Sequence, residues 1–182
     1  MMEPLEQRQL MSASMCVTNT ISDGLPGGGP TPQPKPIPDL NVSLNRTGSL
    51  RITGSNFNDH IIVKIEKGKL HVKANRVDHF FRLSAVKRIL ADLGRGHDDF
   101  DTLGTVRIRM ELNGGAGNDQ LTGGAKDDRI DGGAGFDFIE GGVGRDVLIG
   151  GKDRDHIYTE NPLVDQVIAE KDDWVHVGAV DR

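Results

Sequence analysis

The sequence predicts an all-β fold of short, stacked parallel strands on three observations: a nonapeptide period running without a gap over residues 114 to 158, one apolar residue recurring in every period, and glycine concentrated in that same stretch. Glycine occurs 24 times among 182 residues, and more than half of these fall between Gly114 and Gly151. Hydrophobic residues make up 36% and aromatics 4%, thin for an ordinary globular core, so something besides a large apolar interior has to hold the chain. A single nonapeptide buries too little to be stable alone, and such units have to stack.

Composition divides the chain into five zones: 1–21, a Pro/Gly-rich linker at 22–44, an alternating-apolar zone at 45–113, the repeat block at 114–158, and a terminal segment at 159–182. The first zone is expected to be a disordered tail. In the second, Pro30, Pro32, Pro34, Pro36 and Pro38 stand at every second position. That spacing forbids a helix or a central strand and favours an extended polyproline spacer. The lone Cys16 has no partner for an internal disulfide, so any staple has to be a metal. No run reaches the roughly 18 apolar residues of a membrane-spanning helix, and Ser12 and Ser14 interrupt the apolar stretch near the N-terminus.

In the third zone the alternations Leu50-Arg51-Ile52, Ile61 to Ile65, Leu70-His71-Val72 and Val106 to Met110 read as strands, with Lys67-Gly68 as a turn. Val86 to Leu93 has a spacing compatible with a short helix, but a strand leading into Gly94 is preferred. This zone is expected to be a degenerate continuation of the coil.

The repeats are GGAGNDQLT, GGAKDDRID, GGAGFDFIE, GGVGRDVLI and GGKDRDHIY. Glycines at the first, second and fourth places, Gly114, Gly115, Gly117, Gly123, Gly124, Gly132, Gly133, Gly135, Gly141, Gly142 and Gly144, permit positive φ and leave carbonyl oxygens uncovered in a tight turn. The sixth place is Asp119, Asp128, Asp137, Asp146 and Asp155, which sets a carboxylate beside those carbonyls. An all-oxygen environment suits a hard cation, and calcium takes about six to eight such ligands. Neither His nor Cys is periodic, which disfavours zinc. The eighth place, Leu121, Ile130, Ile139, Leu148 and Ile157, supplies the core row.

The pattern G-G-x-G-x-D-x-U-x is that of a calcium-binding β-helix repeat, and residues 114 to 158 resemble the RTX, or haemolysin-type, calcium-binding repeat family throughout. The resemblance implies a right-handed parallel β-roll with two nonapeptides per coil, so that repeats two apart stack. It also implies calcium seats between Asp119 and Asp137, between Asp137 and Asp155, and between Asp128 and Asp146. Stacked strands lie about 4.8 Å apart, and two bare carboxylates at that distance repel by roughly 3 kcal/mol at an effective dielectric near 20. An ion bound with a dissociation constant of about 0.1 mM, supplied at 1 mM, contributes about 1.4 kcal/mol per seat, so folding is expected to depend on calcium.

Two places depart from the pattern: Lys126 and Asp153 stand where the fourth glycine belongs. A non-glycine residue at positive φ costs of order 1 kcal/mol, which makes the Asp128 and Asp155 seats the least secure. Asp-x-apolar triplets recur around Asp59, Asp98, Asp165 and Asp173. Asp59 and Asp98 are read as surface carboxylates, and the six histidines as ordinary surface residues. Phe136, Phe138 and Tyr158 face outward on one side and Val147 and Ile149 on the other, and Leu163 to Val177 is expected to fold back over such a patch as a terminal cap.

A net charge of −5, with no basic cluster, argues against nucleic acid as a partner. No GxSxG, HExxH or nucleotide-loop motif is present, so no enzymatic activity is expected. Leu5 to Ala13 resembles the LEPR-XLL segment found on many large bacterial surface or exported proteins, with Gln7 in place of its proline. Together these resemblances imply an extracellular or cell-surface calcium-binding module whose folding calcium drives. An adhesion or matrix spacer with a partner surface, or a carbohydrate-active accessory module, is the alternative.

Overall fold

A computed structural model of the chain describes residues 40–161 and 163–178. The N-terminal zone with its LEPR-XLL-like stretch, Cys16 and the linker prolines lie outside the described residues. The linker expectation ends too late: residues 41–44, assigned to it, form the first strand.

Fifteen strands follow in chain order among the described residues. The first seven are β1 (Asn41–Leu44), β2 (Ser49–Thr53), β3 (His60–Glu66), β4 (Lys69–Ala74), β5 (Val77–Arg82), β6 (Arg88–Arg95) and β7 (Asp99–Leu103). Then come β8 (Arg109–Ala116), β9 (Gln120–Thr122), β10 (Arg129–Ala134), β11 (Phe138–Glu140), β12 (Val147–Lys152), β13 (His156–Thr159), β14 (Gln166–Ile168) and β15 (Trp174–Val177). They form two sheets, in the orders β1-β2-β6-β8-β10-β12-β14 and β15-β13-β11-β9-β7-β3-β4-β5. From β6 on, consecutive strands alternate between the sheets, and each pairs in parallel with the strand two further on. This is the predicted all-β solenoid of stacked coils.

Registry builds the core as two facing columns. In the first sheet Ile52, Ala91, Leu112, Ile130, Leu148 and Val167 lie in register. In the second, Ile61, Phe100, Leu121, Ile139, Ile157 and Val175 do the same. All five eighth-place residues of the repeats are fully buried. At roughly 1.5 to 3 kcal/mol for each fully buried aliphatic side chain, this double column is an apolar contribution that every coil shares.

The third zone is coil with an insertion. β2, β6 and β8 stack in parallel, as do β3 and β7, while β4 and β5 form antiparallel hairpin strands on the edge of β3. The Lys67-Gly68 turn has positive φ at both residues, as a tight hairpin turn with matching twist requires. Residues 88–95 are a strand and not a helix, as preferred from the sequence. Val106 and Ile108 are buried but precede the strand, which starts only at Arg109.

At the other end, the described residues beyond the repeats do not fold back. β14 and β15 add one further strand to each sheet, and Trp174 sits in register with His156. Every residue of β15 is exposed.

Candidate metal centre

Two carboxylate ladders run along the edges where the chain crosses between the sheets. At the first edge, between first-sheet and second-sheet strands, each aspartate accepts a hydrogen bond on Oδ1 from the backbone N–H of its counterpart one coil earlier. Asp59 N–H donates to Asp98 (2.7 Å), Asp98 to Asp119 (2.8 Å), Asp119 to Asp137 (2.9 Å), Asp137 to Asp155 (2.9 Å) and Asp155 to Asp173 (3.0 Å). At the second edge Met110 N–H donates to Asp128 (2.7 Å), Asp128 to Asp146 (2.8 Å) and Asp146 to Asp165 (2.9 Å). Sequence periodicity brought out the five repeat aspartates, and the structure sets them in these two rows.

The second carboxylate oxygen separates two kinds of rung. On Asp98, Asp119, Asp137, Asp155 and Asp146, Oδ2 is buried without a hydrogen-bond partner. The rungs at each end are closed by protein donors. Asp59 Oδ2 accepts from Ser55 N–H at 2.7 Å, and its Oδ1 accepts from Asn75 Nδ2 at 2.9 Å. Asp173 Oδ2 accepts from Glu170 N–H at 2.6 Å. On the second edge Asp128 Oδ2 accepts from Gly124 N–H at 2.8 Å, and Asp165 Oδ2 from the Thr159 hydroxyl. Asp59 and Asp98, read from sequence as surface carboxylates, are each only 2% exposed, because the solenoid extends through them. His71 is likewise buried, 2.7 Å from Asp78, and not a surface histidine.

Burial with so few donors raises the pKa values of these groups. Desolvation lifts Asp137 and Asp146 to about 7, against the backbone N–H bond each accepts and with the help of neighbouring rungs. It lifts Asp98, Asp128 and Asp155 to about 6, and Asp119 in the same direction. A buried carboxylate oxygen with no donor is costly in its ionised form unless a cation meets it.

The glycines shape the turns around these oxygens. A Cβ at Gly114, Gly132 or Gly150 would strike the Oδ2 of Asp119, Asp137 or Asp155, so in these three coils glycine at the first place is what lets the carboxylate turn inward. The second-place Gly115, Gly133 and Gly151 have φ near +110 and lie against a backbone carbonyl of the preceding coil.

The two departures from the pattern behave differently. Asp153 takes the positive φ of the glycine it replaces, at 78, and Asp155 keeps its open oxygen. Lys126 is not at positive φ, and neither is Gly124. That turn is reshaped, and it directs Gly124 N–H onto Asp128. The expected strain is thus present at Asp153 and avoided at Lys126.

Among the described residues no three His, Cys, Asp or Glu side chains converge as a metal cage. One or two carboxylate oxygens per rung leave the rest of a coordination shell to backbone carbonyls, an oxygen-only donor set suited to calcium and not to zinc. The donor set therefore fits calcium, which when bound would neutralise the facing carboxylates.

A solenoid with such edges defines a class of metal-binding repeat protein. Residues 111–139 and 131–161 match the family model of the RTX calcium-binding nonapeptide repeat (4 copies). The chain therefore carries RTX repeats, whose family binds calcium ions. No curated protein and no solved structure matches the chain. No helix among the described residues is long and apolar enough to cross a membrane.

Proposed function

We propose that the chain is a non-enzymatic calcium-binding module of the cell surface or extracellular space, and that calcium drives its folding. The row of buried aspartate oxygens without donors carries this reading. Asp119, Asp137, Asp146 and Asp155, with the carbonyls of the repeat glycines, are its ligands, and Asp128, at the same repeat place, is set apart from them because its second oxygen is taken. Sites of about 0.1 mM affinity would stay empty at cytosolic calcium and fill outside the cell, so export would precede folding. The test is a far-UV circular dichroism titration from EDTA to about 10 mM calcium, with magnesium as control. A cooperative, calcium-selective gain of β signal is expected, and an unchanged spectrum would remove both the calcium switch and the export argument.

A second reading, an adhesion or matrix spacer, is favoured by the outward aromatic strip on β11, β13 and β15. There Phe138 packs on Tyr158 at 4.7 Å and Tyr158 stacks on His176 at 4.4 Å, while Phe136 and Trp174 stand about half exposed. Loss of binding to a polysaccharide array on Trp174→Ala, with the calcium response intact, would support it; no binding by the wild type would refute it.

A further inference from the structure

We infer a further calcium site reaching one coil beyond the matched repeats, between the turns Gly94–Asp98 and Gly115–Asp119, with Asp98 as its added carboxylate. The inference rests on the reading that the ladders take calcium, and it extends the first-edge row by one coil toward the N-terminus.

Leu93 to Asp101 is a nonapeptide in which only the first glycine is missing. Gly94 and Gly96 hold the second and fourth places, Asp98 the sixth and Phe100 the eighth. The backbone follows suit. Gly94 and Gly96 have φ of 95 and 141, beside 106 and 137 at Gly115 and Gly117. Gly94 pairs in register with Gly115, and Phe100 with Leu121, as the repeats pair among themselves. Gly96 N–H donates to Ala116 O at 3.0 Å, the same bond that Gly117 makes to Ala134 O at 2.8 Å. Leu93 at the first place turns its side chain into the core, where it is fully buried.

The ligand is marked by an independent observation. Asp98 is 2% exposed, and its Oδ2 has no donor, as at Asp119, Asp137 and Asp155. One coil earlier the same position is satisfied by protein: Asp59 takes hydrogen bonds from Ser55 and Asn75 on its two oxygens. Protein donors close the rung at Asp59, and Asp98 is the first rung that they leave to a cation.

The experiment counts ions bound to the full chain by equilibrium dialysis against calcium, for wild type, Asp98→Asn and Asp59→Asn. Asparagine keeps the acceptor for Asp59 N–H and removes the charge. Asp98→Asn should bind one ion fewer than wild type, and Asp59→Asn the same number as wild type. An unchanged count for Asp98→Asn overturns this site alone, whereas a wild type that binds no calcium overturns the reading of the ladders as a whole. Should Asp98→Asn fail to fold, calcium anomalous density in crystals of the wild type decides: a peak between Asp98 and Asp119 supports the site, and peaks confined to later rungs overturn it.

Discussion

The two edges of the solenoid are built from the same nonapeptide, yet they differ. The first edge carries four consecutive open carboxylates, Asp98 to Asp155, between closed rungs at Asp59 and Asp173. The second carries one, Asp146, between closed rungs at Asp128 and Asp165. A repeat aspartate is therefore not a ligand by position alone. Its second oxygen has to be left without a protein donor, and the turn geometry four residues upstream decides that. Asp128 is closed by the N–H of Gly124, four residues before it, whereas the corresponding Gly115 and Gly133 N–H groups are not bonded to Asp119 and Asp137.

If the edges differ in this way, the largest effect belongs to Asp137, an open rung with open neighbours on both sides. Asp137→Ala removes a ligand from two adjacent seats and the acceptor for Asp119 N–H. The loss at 1 mM calcium should be about 3 kcal/mol for the two seats and about 1 kcal/mol for the hydrogen bond. In a circular dichroism titration the folding midpoint should rise by tenfold or more. A shift no greater than that of Asp128→Asn would mean that open and closed rungs are equivalent.

Proton and calcium compete for the same oxygens, and this sets the pH dependence. The ladder aspartates have folded-state pKa values raised from 3.8 to about 6 or 7. The folded chain without calcium therefore binds more protons than the unfolded chain across that window. Its stability is fully present below about 4 and is lost as pH rises through 6 to 7. Thermal melts in EDTA should show a higher Tm at pH 5 than at pH 7.5, and calcium should reverse that order, since bound ions need the carboxylates ionised. A Tm in EDTA that rises with pH would contradict the burial of the open rungs.

The core rows and repeat aspartates were legible because both recur every ninth residue over an unbroken stretch. What lay outside that stretch was harder to read for a structural reason. The ladder step is 18 residues inside the repeats, but 21 from Asp98 to Asp119 and 39 from Asp59 to Asp98. A longer return before β8 and the inserted β4–β5 hairpin displace the same coil in sequence while preserving it in space. Hence Asp59 and Asp98 looked like surface groups. The closing donors were invisible for a different reason: Ser55, Asn75 and Thr159 share no repeat position, and a backbone N–H such as that of Gly124 leaves no mark in side-chain pattern.

Within the second edge a smaller contrast follows. Asp146→Asn removes the charge from an open rung and should cost one bound ion by dialysis, with a folding midpoint shifted by about the 1.4 kcal/mol assigned to one seat. Asp128→Asn disturbs a rung whose two oxygens already accept N–H bonds from Met110 and Gly124. It should lower Tm through one weakened hydrogen bond, about 1 kcal/mol, while leaving the ion count unchanged. Equal loss of ions in the two variants would return Asp128 to the ligand set.

The smallest effect is a gain. Lys126 occupies the place where Gly117 and Gly135 adopt positive φ on the first edge, whereas on the second edge neither Lys126 nor Gly144 does so. Lys126→Gly removes the steric cost of the left-handed conformation, worth of order 1 kcal/mol for a side chain such as lysine. The turn can then take the geometry of the first edge, withdrawing Gly124 N–H from Asp128 and leaving Oδ2 open. Glycine also raises the entropy of the unfolded chain, so without calcium the variant should be slightly less stable than wild type. With calcium it should bind one more ion and fold at a midpoint lowered by a factor of a few. A midpoint that rises in calcium as well would show that Lys126 is not what closes the second edge, and that the difference between the edges lies in the Val106 carbonyl against which Gly124 packs.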